Sequence, residues 1–349
     1  MSDRKALVDV LAGKVPERRP VWLMRQAGRY LPEYREVRAT AGSFLALCDS
    51  PKLAMEVTLQ PLRRFDLDAA IVFADILLIP RALGSRLEFR EQEGPVLSPV
   101  RSQADVDGLG EADGLAGLDP VLETLRLVRA LLPSNQALIG FCGAPWTVAS
   151  YMIEGGTSEE RLLSRRLACE RPVWFGELLA RLTTASAEYL ARQCEAGADV
   201  LQIFDSWAGD LPESLHEELV FGPVRRVVQE VRRRVGPVPI IGFARGIGAA
   251  HLGFAKNCGL NAVSVEPSVP LQWLRDEVVP HAVVQGNLDP LVLAGGGEAL
   301  KSAVRRIVAT LPPHSHVMNL GHGVRQETPP EHVGELVASV RRWDGEAHG

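Results

Sequence analysis

Eight short apolar runs recur along the 349-residue chain, most of them followed by a stretch with helical spacing. They lie at about 20–25, 69–74, 137–142, 200–204, 239–243, 262–265, 282–285 and 316–320. A strand covered on both faces needs apolar residues at every position rather than at alternate ones. Continuous runs therefore point to parallel strands buried under helices. Eight such units in one chain predict a (β/α)8 barrel, and a length near 350 leaves room for insertions. A doubly wound open sheet is the alternative, but it normally carries a Gly-rich dinucleotide fingerprint after its first strand, and none is present. No linker, low-complexity tract or internal repeat interrupts the pattern, so residues 1–349 are read as one domain.

The remaining segments fit around this plan. Residues 4–12 predict a short amphipathic helix ended by Gly13 and Pro16. Ser50-Pro51 predicts a capped helix start, running to Arg64. Residues 86–100 alternate like a hairpin excursion, and 105–117 are acidic and Gly-rich, a loop with a short helix. Helices are expected at about 119–132, 172–195 and 213–234. Thr157 to Glu160 and Thr328 to Glu331 both have the pattern of a capping box, and Gly295 to Gly297 that of a flexible bend before a helix, with a phosphate-binding loop as the weaker alternative.

A barrel of this kind builds its active site on the loops at the carboxyl ends of the strands. Those ends carry Arg25 and Arg29, Asp75, Trp146 and Tyr151, Asp205 and Ser206, Arg245, Glu266, Asn287 and Asp289, and His322. Two guanidiniums closing an apolar strand suggest an acidic ligand, because Arg grips carboxylates and phosphates through paired hydrogen bonds. Structural ion pairs to nearby helices are the alternative. Asp75 sits in AIVFADILLIP, apolar on both sides, where a carboxylate is costly unless donors or cations hold it. It either serves a ligand, or caps the following turn or pairs with a neighbouring Arg. His322, between two glycines, is either a binding residue or a turn residue.

Composition removes several classes. A net charge of −5 gives no general attraction for nucleic acid or anionic membrane, and no apolar run reaches the 18 residues a span requires. Five scattered Cys without a C-x-x-C pair fit reduced thiols in a cytoplasmic protein, and the N-terminus has no signal-peptide pattern. Clustered Cys/His ligands for zinc are lacking, no Lys ends a strand as a Schiff-base enzyme requires, and G-x-S-x-G is absent. What survives is a site of Arg, carboxylate, Tyr and His, with no metal or prosthetic group expected.

RPVWLMRQAGRYLPEYR (19–35) and GFCGAPWTVASYMIEGG (140–156) resemble the two most distinctive segments of the uroporphyrinogen decarboxylase family. AAIVFADILLIPRALG, LQIFDSWAG, VQGNLDP and NLGHG resemble further segments of that family, in the same order, so the likeness spans nearly the whole chain. It implies a distorted (β/α)8 barrel, a homodimer and no cofactor. The implied activity, a carboxy-lyase step of haem biosynthesis, removes four acetate carboxyl groups of uroporphyrinogen III as CO2 to give coproporphyrinogen III. The implied substrate-binding residues are Arg25, Gln26, Ala27, Gly28, Arg29, Asp75, Tyr151, Ser206 and His322, with Phe73 and Phe204 as apolar wall. Asp75 would accept the central pyrrole N–H groups and stabilise a cationic ring intermediate, with Arg25, Arg29, Tyr151 and His322 as candidate proton donors. Three positions depart from the family pattern. Ser206 stands where many bacterial members have Thr, Glu266-Pro267 where an Asp followed by Trp or Thr is expected, and Arg325-Gln326 where Leu-Pro is usual. A corrinoid-linked methyltransferase on the same barrel would call for a thiolate-rich zinc site. A non-catalytic tetrapyrrole carrier would keep Arg25 and His322 without needing Asp75.

Overall fold

The structure, a computed structural model, describes residues 4–90, 93–111 and 115–346. Its strands are β1 (Ala69–Ile71), β2 (Leu87–Arg90), β3 (Gly94–Leu97), β4 (Ala137–Gly143), β5 (Val200–Asp205), β6 (Ile240–Ala244), β7 (Ala262–Ser264), β8 (Val283–Gln285) and β9 (His316–Val317). Seven of them pair in parallel in the order β1-β4-β5-β6-β7-β8-β9, each beside the next in sequence. That is the winding of a TIM barrel, with the seven strands forming a curled sheet.

The eighth expected strand, residues 20–25, is not one. Val21 alone bridges Met318 in parallel, and on its other side its carbonyl accepts from the Asp68 N–H at 2.9 Å. The ring is thus closed between β9 and β1 by one residue rather than by a ladder. Pro20 has no N–H to extend the pairing, and Arg25 turns away with φ +61, in the left-handed region. The Gln26 amide stands in for the missing ladder: its Oε1 accepts from Leu23 N–H and its Nε2 donates to the Ala69 carbonyl, both at 3.0 Å.

The hairpin excursion is β2 paired antiparallel with β3; positions 91 and 92 at its tip lie outside the described residues, as do 112–114 of the acidic loop and 1–3 at the N-terminus. The first helix is Ala6–Leu11, and the expected helices near 119–132 and 172–195 are Asp119–Leu131 and Val173–Glu195. The 213–234 stretch is segmented into Glu213–Leu215, Glu217–Phe221 and Gly222–Val235. The chain bends at Gly296 between Pro290–Gly295 and Gly297–Thr310.

Three expected caps do not form. Ser50 precedes Pro51–Arg64 without a side-chain bond, and the Thr328 hydroxyl is buried without a partner before Pro330–Glu346. Proline in the first turn already fixes φ and removes an orphan donor there. Ser158 accepts from the Arg161 N–H, a local turn ahead of Leu162–Glu170 rather than its cap.

Inside the barrel a polar layer replaces part of the aliphatic filling. The Trp22 indole donates to Gln285 at 2.9 Å, and Gln285 donates to Gln202 at 3.1 Å and to Ser264 at 2.9 Å. At the amino ends of the strands, charge is buried and paired. Asp68 receives Arg18, Arg341 and the Val21 N–H, each at 2.7 Å, and Arg19, fully buried, meets Asp344 at 3.1 Å and His316 at 2.7 Å.

Candidate active site at the carboxyl ends of the strands

β1 runs out into Phe73, Ala74 and Asp75. The Phe73 N–H donates to Thr58 Oγ1 at 3.0 Å, fixing where the chain leaves the sheet. Asp75 is half-buried, and its Oδ1 accepts the Leu77 N–H at 2.8 Å. It therefore does cap the turn, as one alternative held, but with one oxygen only. Burial pushes its carboxyl above the ordinary range, against the opposing Leu77 bond and the charge of Arg25.

Arg25 and Arg29 stand in the turn that follows the Val21 closure. Both are exposed, and neither guanidinium has a hydrogen bond or ion pair with a described residue, so the structural ion-pair alternative is not realised. The backbone N–H groups of Ala27, Gly28 and Arg29 likewise donate to no described residue. Successive free N–H groups beside two guanidiniums make an anion-receptive loop. Gln26 is placed differently: it is fully buried, and both ends of its amide are committed to the framework.

The glycine-flanked loop of His322 closes directly over Arg25, since a Cβ at Gly323 would collide with Arg25 Cδ. His322 Nδ1 accepts the Gly323 N–H at 2.7 Å, which leaves the ring proton on Nε2, pointing away from the turn. Burial, then the charges of Arg25 and Arg245, lower its pKa to about 4, so the imidazole is neutral at physiological pH. His322 is thus a turn residue and an available donor at once.

Tyr151 comes from Pro145–Glu154, the helix that starts as β4 ends. Burial raises its pKa, and Asp75 adds to this, which places the two groups in each other's field. Its ring lies 5.9 Å from Trp207, and the Arg161 guanidinium stacks over the Trp207 ring, 3.7 Å from its centroid. Ser206, half-buried with no hydroxyl partner among the described residues, sits in the turn between Asp205 and Trp207. That turn is fixed from below: Thr147 donates to the buried Asp205 at 2.5 Å and accepts from the Trp207 N–H at 3.1 Å. Burial pushes the Asp205 carboxyl up to about 7.

The wall is aromatic. Phe73 packs against Tyr34 at 5.8 Å and Phe44 at 5.6 Å. Phe204 stands edge-on to Phe141 at 5.6 Å and to Phe243 at 6.3 Å, and Phe243 is edge-on to His322 at 6.4 Å. Phe141, Phe243, Trp207 and Arg161 were not singled out by the sequence. The phenylalanines lie within continuous apolar runs, where only the register, with Phe204 opposite Phe243, shows which ring flanks which. Arg161 has no signal in the sequence at all.

Other polar strand ends are framework. Trp146 is fully buried and donates to the Trp207 carbonyl at 3.0 Å. Glu266 is bonded to His251, Asn287 donates to the carbonyls of Glu266 and Val269, and Asp289 caps Pro290–Gly295. Among the described residues no group of three or more His, Cys, Asp or Glu side chains is placed to hold a metal ion, and the five Cys are free. No helix there is long and apolar enough to cross a membrane.

The fold and the strand ends define a TIM-barrel enzyme in which the unpaired guanidiniums of Arg25 and Arg29 stand near the half-buried Asp75. The chain belongs to the uroporphyrinogen decarboxylase family, which it matches over residues 2–343. It is 47% identical over 338 residues to the uroporphyrinogen decarboxylase of Rhodospirillum rubrum, covering 97% of each chain. It is 48% identical over 340 residues to that of Granulibacter bethesdensis, covering 97% of this chain and 99% of the other. In fold it is similar to a methyltransferase from Methanosarcina mazei, with a TM-score of 0.79, 20% identity and coverage of 98% and 99%. A B12-independent methionine synthase from Shewanella sp. gives a TM-score of 0.55 at 11% identity, covering 84% and 88%.

Proposed function

We propose that this protein decarboxylates uroporphyrinogen III to coproporphyrinogen III, without a cofactor, as a carboxy-lyase of haem biosynthesis. The observation that carries this reading is Asp75: one oxygen tied to Leu77, its charge answered by Arg25, and Tyr151 in its field. The substrate is a ring with four pyrrole N–H donors at its hub and eight carboxylates on its rim. Asp75 accepts the hub N–H groups, which also hold it ionised in an apolar setting. Arg25, Arg29 and the N–H groups of Ala27 and Gly28 take rim carboxylates. Phe73 and Phe204 face the macrocycle, and Ser206, Tyr151 and His322 complete the contacts.

The chemistry then follows. Protonation of a pyrrole carbon gives a cationic ring, and the fixed anion of Asp75 stabilises it. The bond from the acetate CH2 to its carboxylate breaks, CO2 leaves, and the electron pair flows into the ring. A second proton on the exocyclic carbon makes the methyl group, and loss of the first restores the pyrrole. Each acetate consumes one proton overall. Arg25, Arg29, Tyr151 and His322 are the groups available to deliver it. Guanidiniums are poor acids near neutral pH, so we assign Arg25 and Arg29 first to binding.

The same reading makes the unit a single barrel domain, supported by one contiguous apolar core. It also makes the protein a cytoplasmic homodimer, as the family likeness implies. Anaerobic incubation with uroporphyrinogen III, followed by chromatography, tests the activity: coproporphyrinogen III should accumulate with four CO2 released per ring. Tight binding with the substrate recovered unchanged would make the protein a carrier instead.

A further inference from the structure

β6 ends at Ala244, and the next residue adds a third unpaired guanidinium to the mouth of the site. Arg245 is exposed, and its side chain makes no hydrogen bond or ion pair with a described residue. Its backbone, by contrast, is clamped. The N–H donates to the Asp205 carbonyl at 3.0 Å, and the carbonyl accepts from Gly209 N–H at 2.9 Å, so Arg245 is strapped to both sides of the turn that presents Ser206. Phe243, two residues earlier, is the ring edge-on to His322. The charge of Arg245 is felt at His322 alongside that of Arg25, which brings all three to one neighbourhood.

The base of Arg245 is held from the adjoining strand. The Glu266 carboxylate, just past β7, meets His251 Nε2 at 3.0 Å, and the Gly246 N–H next to Arg245 is among the groups that hold its pKa low. His251 is fully buried and Glu266 nearly so. Pro267 presses against the His322 loop, because a Cβ at Gly321 would collide with its ring. One turn, Glu266-Pro267, therefore touches both the root of Arg245 and the loop of His322.

We infer that Arg245 binds a rim carboxylate of the substrate and that Glu266 is the positioning residue that aims it. This rests on the proposed function. Arg25 and Arg29 share one loop between β9 and β1, whereas β6 lies three strands further round the sheet. A ring with eight carboxylates cannot be met on all sides from one loop, and Arg245 supplies a fork on a different stretch of the rim. An exposed guanidinium with a fixed backbone and no internal partner costs the apo chain little, yet a carboxylate arriving from a bulky ligand gains a charge-assisted pair.

Steady-state decarboxylation by Arg245→Ala, Arg245→Lys, Glu266→Gln and Arg245→Ala/Glu266→Gln tests this. The loss falls in KM: Arg245→Ala should raise it roughly tenfold, the scale of one charge-assisted bond, with a far smaller change in kcat. Arg245→Lys should recover part of it, since the charge is kept and the fork lost. Glu266→Gln should raise KM in the wild-type background but add little to Arg245→Ala, a non-additivity that a merely structural role would not produce. If Glu266→Gln does not fold, Glu266→Asp replaces it in the same cycle. A wild-type KM in Arg245→Ala overturns the binding role, and full additivity overturns the positioning role. Wild-type protein that fails to convert uroporphyrinogen at all overturns the proposed function, and is told apart by that control.

Discussion

At the amino ends of the strands Arg18, Arg19 and Arg341 are each held by carboxylates, whereas at the carboxyl ends Arg25, Arg29 and Arg245 meet none. Arg19 and Arg25 are six positions apart in one segment, so the contrast is not one of composition. The acids mirror it. At the amino end, burial of Asp66 is outweighed by Arg18 and Arg341, and its pKa is lowered; at the other end, burial wins and Asp75 and Asp205 are raised. Charge buried permanently must be paired within the chain, because an unpaired one costs several kcal/mol. Charge meant for a ligand has to be left unpaired, and can be so cheaply only while it stays near solvent. One end of the barrel thus serves stability and the other binding, as the fold allows.

The contrast breaks most readily at Asp68, 3% exposed. Asp68→Ala removes the partner of Arg18, Arg341 and the Val21 N–H together, and leaves the one-residue closure of the barrel only its backbone bonds. Removing one partner of a buried ion pair typically costs about 3–5 kcal/mol, so a loss of that order is expected in denaturant unfolding, with KM of the folded protein unchanged. A normal midpoint, or a raised KM, would erase the division of labour.

A smaller effect sharpens it through pH. The folded Asp205 carboxyl, raised from 3.8 to about 7, favours the folded chain when protonated. Its contribution is complete below pH ~4 and is lost as pH rises through about 7. Asp66, lowered, acts with the opposite sign: its contribution is present above 3.8 and is lost on acidification. Thermal melts of Asp205→Asn from pH 4 to 8 should therefore show less decline towards high pH than wild type. Parallel curves would mean that Asp205 is not held in the acid form.

Much of this was legible in the chain. Seven of the eight apolar runs are strands of one parallel sheet, because strands buried on both faces leave a continuous hydropathy signal. Arg25, Asp75 and His322 stood out because each interrupts or ends such a run. Residues 20–25 misled for the same reason: hydropathy registers burial, and Val21 to Met24 are buried, but it does not register the proline and the left-handed Arg25 that confine pairing to one residue. Gln26 shows a second limit. An amide beside two arginines reads as a ligand group, and only the fold shows both its ends spent on Leu23 and Ala69. Phe141 and Phe243 are a third, since residues in an all-apolar strand do not reveal which face they take.

Asp75→Asn tests the central claim most directly, measured by single-turnover decarboxylation under anaerobic, saturating substrate with a thermal melt alongside. The substitution keeps shape and removes charge. The account predicts turnover down roughly 10²–10³-fold, the effect of losing one aimed electrostatic partner, with a melting midpoint no lower than wild type. Near-normal turnover, or a drop in midpoint like that of Asp68→Ala, would contradict it.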